Sequence, residues 1–362
     1  MISTHHNNAE TCTPQSLFAL AGVMALSTRL VQGWIFWAGA SRRLFYDVAS
    51  VGGMEHAVKM DPALPSYLAG KLMHAMPGSL FPDLVAWILQ RGDLLLSMVW
   101  LWTIAELIVG IGLLLGLGTR LLAFVGVGLN ISLMLIFGWM GSTCVDEWTM
   151  AACGFAMSAT LMLTGGGCFA IDHWLARRFP AAGGSQWFRL IGSGPLALTS
   201  AHRWGLGLGI LSLLFTVGFY QFLHGAVISP LKPRVSFHAY NIALSDARAQ
   251  PDGGVSFSAY INAGPDTGKL YVIEAQLRAG NNTLARWGGE ELSELPATAI
   301  SNQFNQPWAA KIAPARYGLG AVTGAQAVIK LPAQGPLSAG DYQLELSDID
   351  GNHWVTPVVL GD

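Results

Sequence analysis

A long stretch that is almost without charge constrains this chain more than any other feature of its sequence. Charged residues make up 12% of the chain, whereas roughly 25% is usual for soluble domains. Asp, Glu, Lys and Arg return at ordinary density from Pro230 onward. The sequence therefore predicts two regions that fold in different solvents. From Leu94 to Phe169 the residues ionised at neutral pH are Glu106, Arg120, Asp146 and Glu147.

The apolar region divides into windows that are long enough to cross a bilayer. A hydrocarbon core about 30 Å thick needs roughly 20 apolar residues of helix. The first window holds Arg29 and Gln32 and ends in a small-residue run that resembles a signal-peptide cleavage site, although residues 1–16 contain no Lys or Arg. We expect five transmembrane helices, with cleavage of the first as the alternative. The windows are Leu17–Ala40, Leu94–Leu117, Leu121–Gly141, Trp148–Ile171 and Gly205–Val227.

The distribution of Lys and Arg in the short connections predicts the orientation in the membrane. The connection after the second window holds Arg120, the one after the fourth holds several arginines, and residues 142–147 hold none. We therefore expect a multi-pass protein of the inner cell membrane with a cytoplasmic N-terminus and an extracytoplasmic, periplasmic C-terminal region. The expected parts are a tail at 1–16, a four-helix membrane domain at 17–180 with a large outer loop at 41–93, a cytoplasmic linker at 181–204, a fifth transmembrane helix at 205–227 and an exported domain at 228–362.

The outer loop and the exported domain carry different patterns. Tyr67–Met76 and Leu84–Gln90 have the pattern of short amphipathic helices that would lie at the membrane interface. The exported domain alternates apolar and polar residues between turn residues, which is typical of strands. Short strands spaced over such a length favour an antiparallel, all-β sandwich. Its clearest strands are Val255–Ile261, Leu270–Leu277, Ala325–Leu331 and Tyr342–Leu346.

Several functional classes lack support in the sequence. The net charge of −2 gives no electrostatic reason to bind nucleic acid. No metal-ligand spacing, phosphate-binding loop or dinucleotide fingerprint is present, so we expect neither a metal nor a flavin. The four cysteines all lie in the apolar half, and Cys153 and Cys168 fall within the fourth window, where packing is the simplest role.

Two residues that are charged at neutral pH lie inside the apolar windows. Charged groups within a membrane are costly and therefore become functional candidates. Arg29 lies in the first window and Glu106 in the second. Two interpretations stay open: a buried ion pair that joins two helices, or a pair beside the headgroup of a quinone.

Arg42 and Arg43 directly follow the first window. Two guanidinium groups can together hold a small dianion, because each donates paired hydrogen bonds to oxyanion oxygens. The alternative is that both side chains extend from a helix end into the interface.

The turn Gly141-Ser-Thr-Cys-Val-Asp-Glu-Trp148 concentrates a thiol, two carboxylates and an indole between two apolar helices. A thiolate at Cys144 can react with divalent sulfur, and nearby arginines would favour the thiolate. Asp146 and Glu147 would position the arginines or accept protons, and Trp148 would contact the substrate. In the alternative interpretation, a carboxylate caps the next helix and Trp148 lies in the aromatic belt at the interface.

These features together resemble a known pair of families. Arg29, the run from Glu106 to Arg120 and Ala170-Ile-Asp172 are similar to the DoxD/DoxX membrane proteins, and the turn with Cys144 resembles the DoxD branch. The last helix and the exported domain resemble DoxA, on Asn302-Gln-Phe304, Tyr317-Gly-Leu-Gly-Ala321 and Gly340–Gly351. The order is that of a fused DoxD–DoxA protein.

The resemblance implies a thiosulfate:quinone oxidoreductase, that is, a thiosulfate dehydrogenase that uses quinone. Such an enzyme oxidises two thiosulfates to tetrathionate and reduces membrane quinone (ubiquinone, menaquinone or a similar molecule). The implied partners are thiosulfate, the quinone pool and the lipid bilayer, and a homo-oligomer is left open. The alternative is a non-catalytic DoxX-like scaffold or a carrier of sulfur compounds, in which the thiol has no redox role.

Overall fold

The computed structural model describes residues 14–45, 50–51, 54–55, 58–137, 147–224, 239–265 and 268–361. The chain forms two compact units. The first contains the described residues of Met1–Tyr46, Leu101–Ser132 and Ala151–Phe219, and the second contains those of Asp47–Trp100, Leu133–Met150 and Tyr220–Asp362. The first unit is helical, and the second combines short helices with a β-sheet.

Helices account for most of the first half of the described chain. They are α1 (Pro14–Met24), α2 (Leu26–Leu44), α3 (Ala69–Ala75), α4 (Pro82–Leu89), α5 (Gly92–Leu115), α6 (Thr119–Phe137), α7 (Glu147–Thr164), α8 (Ile171–Arg178), α9 (Pro180–Gly183), α10 (Gln186–Ile191) and α11 (Leu198–His224). Ser50–Val51 (β1) and Met54–Glu55 (β2) pair as a short antiparallel ladder between α2 and α3.

Two helices among the described residues are long and apolar enough to cross a membrane. They are Gly92–Leu115 and the segment Thr119–Ile136 of α6. A third span is added if α1 and α2, which are bent by 47° at the break between them, count as one. The helix Thr149–Thr164 is apolar but shorter than a full span. Two or three apolar helices are compatible with a membrane protein, as the charge distribution predicts.

The helix boundaries differ from the predicted windows by several residues at three places. The fourth window is predicted to run to Ile171, but α7 ends at Thr164 and α8 begins at Ile171. The first window is divided near Ala25 into α1 and α2. The last helix begins at Leu198 rather than Gly205, and short helices occupy part of the preceding linker. Hydropathy alone marks where a helix is apolar, and it does not mark where backbone hydrogen bonding begins.

Glycines bring helices α2 and α5 into backbone contact within the first unit. A Cβ atom at Gly33 would lie 2.9 Å from the backbone nitrogen of Leu114, and one at Gly110 would lie 2.5 Å from that of Trp37. Small residues allow this close approach of the two helices. In an apolar surrounding the hydrophobic effect does not hold helices together, so close van der Waals packing of this kind stabilises the pair. Arg43 and Glu106 are brought together by the same helix pair.

A tight turn joins α5 to α6. Gly116 and Gly118 have φ values of +68° and +62°, a left-handed conformation that glycine adopts without strain. The amide of Leu117 returns to the carbonyl of Gly112, which closes the end of α5. The turn therefore leaves the amides that begin α6 free to bind a side chain from elsewhere in the unit.

The second unit is built on a mixed sheet that is nearly barrel-like. Its strands are β3 (Asn241–Ala249), β4 (Val255–Ala263), β5 (Leu270–Ala279), β6 (Asn282–Gly288), β7 (Ile300–Asn302), β8 (Ala313–Ala315), β9 (Gly318–Ala321), β10 (Gln326–Leu331), β11 (Tyr342–Asp348) and β12 (His353–Leu360). Nine of these ten strands follow the order β7-β10-β4-β3-β12-β11-β5-β9-β8, and β6 pairs with β5. A short helix α12 (Gly289–Ser293) lies between β6 and β7.

The β-rich character of the domain follows the predicted pattern, but its topology does not. Residues of β4 alternate along the strand between buried and partly exposed positions, as a half-buried strand requires. The predicted antiparallel sandwich is corrected by one pairing: β12 lies parallel to β3, at Val359 beside Arg248. A parallel pair of strands needs a long crossover connection. Here β3 and β12 are the first and last strands of the domain, so the rest of the domain forms that connection. That pairing links the strands into one mixed sheet.

Candidate functional site

Arg43 and Glu106 form a buried ion pair in the first unit. The two side chains are 11% and 10% exposed, and a guanidinium nitrogen of Arg43 donates to one carboxylate oxygen of Glu106. The other guanidinium nitrogen donates to the hydroxyl of Thr103 at 2.9 Å. The indole N–H of Trp102 donates to the second carboxylate oxygen at 2.9 Å. Each charge is therefore both paired and hydrogen-bonded, as a buried charge requires.

The local sequence explains how these four side chains meet. Trp102 and Glu106 are four residues apart on α5, and Thr103 lies between them, so all three share one helix face. Gly39 provides the space opposite, because a Cβ atom there would lie 3.3 Å from both the Arg43 nitrogen and the Glu106 oxygen. The Nε of Arg43 donates to the carbonyl of Gly39 at 3.0 Å, which fixes the side chain along α2.

The predicted partnership of Glu106 with Arg29 is corrected by this arrangement. Arg29 is 2% exposed and donates to the carbonyls of Leu113 at 3.2 Å and Phe169 at 3.1 Å. Leu113 lies in the last turn of α5, whose carbonyls have no intrahelical donor. Arg29 therefore caps a helix end, where a cation suits the helix dipole, and Arg43 takes the predicted position beside Glu106.

Arg120 has an equivalent role at a second helix end. It is buried, and its guanidinium donates to the carbonyls of Met162 at 3.0 Å and Leu163 at 3.2 Å, in the last turn of α7. It also donates to the carbonyls of Arg189 and Gly194. Both arginines thus donate hydrogen bonds to carbonyls at helix ends, which accounts for their presence in an apolar region without any reaction.

Asp172 connects the two motifs that carry the family resemblance. It is 1% exposed, and its carboxylate accepts hydrogen bonds from the amides of Gly118 at 2.8 Å and Thr119 at 3.0 Å. The hydroxyls of Thr119 and Ser193 donate to the same group at 2.8 Å and 3.0 Å. The amides are those left free at the start of α6, so the carboxylate acts as a cap from a distant helix. This cluster is a structural anchor.

The remaining predicted site residues lie in or beside a segment that the structure does not describe. Cys144 and Asp146 fall outside the described residues. Glu147 and Trp148 begin α7, and their side chains are likewise outside the description. Arg42 is exposed, and its Nε donates to the carbonyl of Ala38 at 3.1 Å. Its role as a binder of thiosulfate stays a prediction, as do the roles of the four residues of the turn.

The partners of the ion pair and a second polar contact inside the helices were not among the residues predicted from the sequence. Thr103 and Trp102 were not candidates, although their spacing from Glu106 on one helix face was a usable signal. Gln32 is 1% exposed, and its amide nitrogen donates to the hydroxyl of Ser158 at 3.2 Å. Its carbonyl oxygen is buried without a hydrogen-bond partner in the part of the chain that the structure describes.

The chemistry of the site is that of charge and hydrogen bonding. Within the described ranges no group of three or more His, Cys, Asp and Glu side chains could hold a metal ion. Arg43 and Thr103 are donors, Glu106 is an acceptor, and Trp102 adds an aromatic face. Such a set can hydrogen-bond both to a carbonyl oxygen and to a hydroxyl, and it can exchange a proton through Glu106.

The geometry defines a class of protein: an apolar helical unit with a buried Arg–Glu pair, followed in the chain by a β domain. Comparison with known families makes this specific. Residues 24–199 match the family described as "TQO small subunit DoxD", and residues 223–356 match "TQO small subunit DoxA". The chain belongs to these two families in a fused arrangement. DoxD and DoxA are subunit families of thiosulfate:quinone oxidoreductase, so the chain is related to oxidoreductases of sulfur compounds.

A solved structure was also matched, without consequence for the fold. The "Structure of Iho670 Flagellar-like Filament" aligns with 44% of this chain and 98% of its own, at 8% identity and a TM-score of 0.21. A likeness at that level carries no argument about this protein.

Proposed function

We propose that this protein oxidises thiosulfate to tetrathionate at the outer face of a membrane and transfers the electrons to membrane quinone. The fused match to two subunit families of one enzyme supports the proposal most directly. The apolar helices are compatible with access to a lipid-soluble acceptor. The buried Arg43–Glu106 pair supplies polar groups within that apolar unit.

Arg42 is the proposed first contact for the anion. Thiosulfate carries two negative charges and presents several oxyanion oxygens, which guanidinium groups bind in pairs. Because Arg43 is paired with Glu106 and Arg42 is exposed, Arg42 is the more accessible of the two arginines to an anion from solution. Arg43 would also bind the anion when Glu106 becomes protonated, because the ion pair between Arg43 and Glu106 is then weakened. We propose that the Trp148 side chain also contacts the bound thiosulfate.

Cys144 is the proposed site of sulfur chemistry. Its thiolate and the sulfane sulfur of one thiosulfate form a sulfur–sulfur bond, and the two electrons released reduce quinone. A second thiosulfate then attacks that sulfane sulfur, displaces the Cys144 thiolate and leaves as tetrathionate. The two steps together consume two thiosulfates and release two electrons, and the thiol is regenerated. Asp146 and Glu147 are the proposed groups that hold the arginines and the protons during these steps.

Arg43, Thr103 and Glu106 are the residues that would hold a quinone headgroup. Their donors suit its carbonyl oxygens, and the Glu106 carboxylate suits the hydroxyl of the reduced form. Quinone supplies the acceptor for two electrons and two protons. Glu106 would deliver a proton to the headgroup from within the apolar unit.

The proposal is tested with the purified protein in detergent, thiosulfate and a soluble quinone analogue followed by its absorbance. We expect reduction that depends on thiosulfate, with one tetrathionate formed for each quinone reduced. Cys144→Ser should abolish turnover, whereas Cys153→Ser, at an exposed cysteine on α7, should not. No reduction by the intact protein across a range of pH, with thiosulfate still bound, would indicate a carrier instead of an enzyme.

Sidedness gives a second, independent test. In a background of Cys12→Ser, Cys153→Ser and Cys168→Ser, an impermeant thiol reagent should label Cys144 from the outer side of intact cells. A cysteine introduced at Arg42 should be labelled from the same side. Labelling from opposite sides would refute the proposed site, because one anion cannot contact both groups across a membrane.

A further inference from the structure

The segment between α2 and α5 is part of the core of the β domain. Ala69, Met73 and Met76 are 0%, 0% and 1% exposed. They belong to one buried cluster with the sheet residues Phe257 and Leu319. A segment that precedes the β domain by well over a hundred residues therefore supplies side chains that complete its core.

The contact is also specific at the level of the backbone. The N–H of Ala310 donates to the sulfur of Met73 at 2.8 Å. The Nδ1 of His74 lies 3.0 Å from the carbonyl oxygen of Thr323, to which its N–H form donates. Gly324 has φ +89°, and a Cβ atom there would lie 2.3 Å from the carbonyl oxygen of Met73. This glycine therefore lets the domain approach the end of α3 backbone to backbone.

Aromatic contacts extend the surface toward the start of α3. Tyr67 and Trp308 are 3% and 6% exposed, and their rings meet edge to face with centroids 5.9 Å apart. A Cβ atom at Gly70 would lie 3.2 Å from the carbonyl oxygen of Trp308, so this side is also closely fitted. Buried aromatic pairs of this kind are typical of the centre of a stable interface.

None of these contacts involves residues 225–238, which join α11 to β3 in the chain. On one side they come from residues 67–76, within the region that matches DoxD, and on the other from residues 308–324, within the region that matches DoxA. The families are described as two small subunits, so the contact lies where two polypeptides would meet. We infer that residues 67–76 dock the β domain through a subunit-type interface that holds without the covalent link between the two parts.

The inference is tested by cutting the link in the folded protein. A protease recognition sequence is inserted within residues 225–238, and the full chain is purified in detergent through an N-terminal tag and then cleaved. We expect the β domain to stay bound to the tagged helical part on the affinity column and on gel filtration. Release of a soluble, folded β domain from the cleaved protein that is otherwise unaltered would overturn the inference.

A pair of variants tests which residues hold the domain. Met73→Lys places a charge in the buried contact, and after cleavage it should reduce the retained β domain at least tenfold. Leu84→Lys is the matched control, since Leu84 lies on α4 and is 53% exposed; retention should be unchanged. If Met73→Lys retains the domain as well as Leu84→Lys does, the docking surface is not the one described. Met73→Ala, which removes the sulfur acceptor of the Ala310 amide without adding charge, should give an intermediate loss.

Discussion

Arg43, in the last turn of α2, donates to the carboxylate of Glu106 near the middle of α5, and Thr103 and Trp102 bind the pair from two sides. The pair is the point at which structure and proposed chemistry coincide. A buried ion pair often adds little net stability, yet removing one partner strands the other charge. Burying two charges costs free energy, and apolar side chains could fill the same space. We therefore expect the Arg43–Glu106 pair to have a function in addition to packing.

The first prediction separates these two roles. Arg43→Met should lower the stability of the purified protein by about 3 kcal/mol or more, because the Glu106 carboxylate loses its cation. The double variant Arg43→Met with Glu106→Leu should recover most of that loss, measured by thermal unfolding in detergent. Thiosulfate-dependent quinone reduction should remain absent in the double variant. Recovery of turnover together with stability would show that the pair is structural only.

The second prediction concerns the anchor at Asp172. Its carboxylate accepts from two amides and two hydroxyls, and all of these donors lose their acceptor in Asp172→Ala. Unsatisfied buried donors cost about 1–3 kcal/mol each, so we expect little folded protein. Asp341→Ala, at an exposed position, is the control and should unfold like the unaltered protein. Equal yields and melting temperatures for the two variants would contradict the anchoring role.

The third prediction tests the contact between α2 and α5. Gly110→Leu must separate the helices, since even a Cβ atom would lie 2.5 Å from the Trp37 nitrogen. Overpacking of this kind costs about 1–3 kcal/mol or more, and it should also weaken the Arg43–Glu106 pair on the same two helices. Gly128→Leu is the control, because a Cβ atom there has nothing within 4 Å. Thermal unfolding of both variants should show a loss for Gly110→Leu alone.

The sequence predicts the apolar helices Gly92–Leu115 and Thr119–Ile136 because a span in lipid has to satisfy its own backbone and carry few charges, whereas five such spans were expected and two or three are found among the described residues. It does not predict which arginine meets Glu106, because Arg29 and Arg43 lie about four turns apart on one helix. The answer depends on how far α2 and α5 overlap. Gly110 approaches the backbone of Trp37, so an antiparallel count of four residues along both helices brings Glu106 level with Ser41, between Gly39 and Arg43.

The topology of the β domain could not be predicted from the sequence for a similar reason. Alternation along β4 marks a buried face, and it contains no information about which strand lies alongside. The parallel pair β3–β12 joins the two ends of the domain, and Met73 enters the core from a segment much earlier in the chain. Such long-range contacts are determined by the whole fold, so local patterns near Val359 or Met73 do not reveal them.

The fourth prediction concerns Tyr67, whose hydroxyl is buried without a hydrogen-bond partner among the described residues. Burial raises the pKa of Tyr67 above its ordinary value of about 10. A raised folded-state pKa means that the neutral hydroxyl contributes stability below about pH 10, and that this stability is lost as the pH rises through the folded value. Tyr67→Phe removes both the unsatisfied hydroxyl and the titration.

We therefore expect Tyr67→Phe to be neutral or slightly stabilising at pH 7, by up to about 1 kcal/mol, because no hydrogen bond is lost. Above pH 10 the advantage should grow, since the variant has no phenolate to bury. Thermal unfolding at pH 7 and pH 10.5 measures both effects. Tyr317→Phe, at an exposed tyrosine, is the control and should match the unaltered protein at both values. A clear loss of stability in Tyr67→Phe at pH 7 would mean that the hydroxyl has a partner, and the docking surface around Trp308 would then be partly polar.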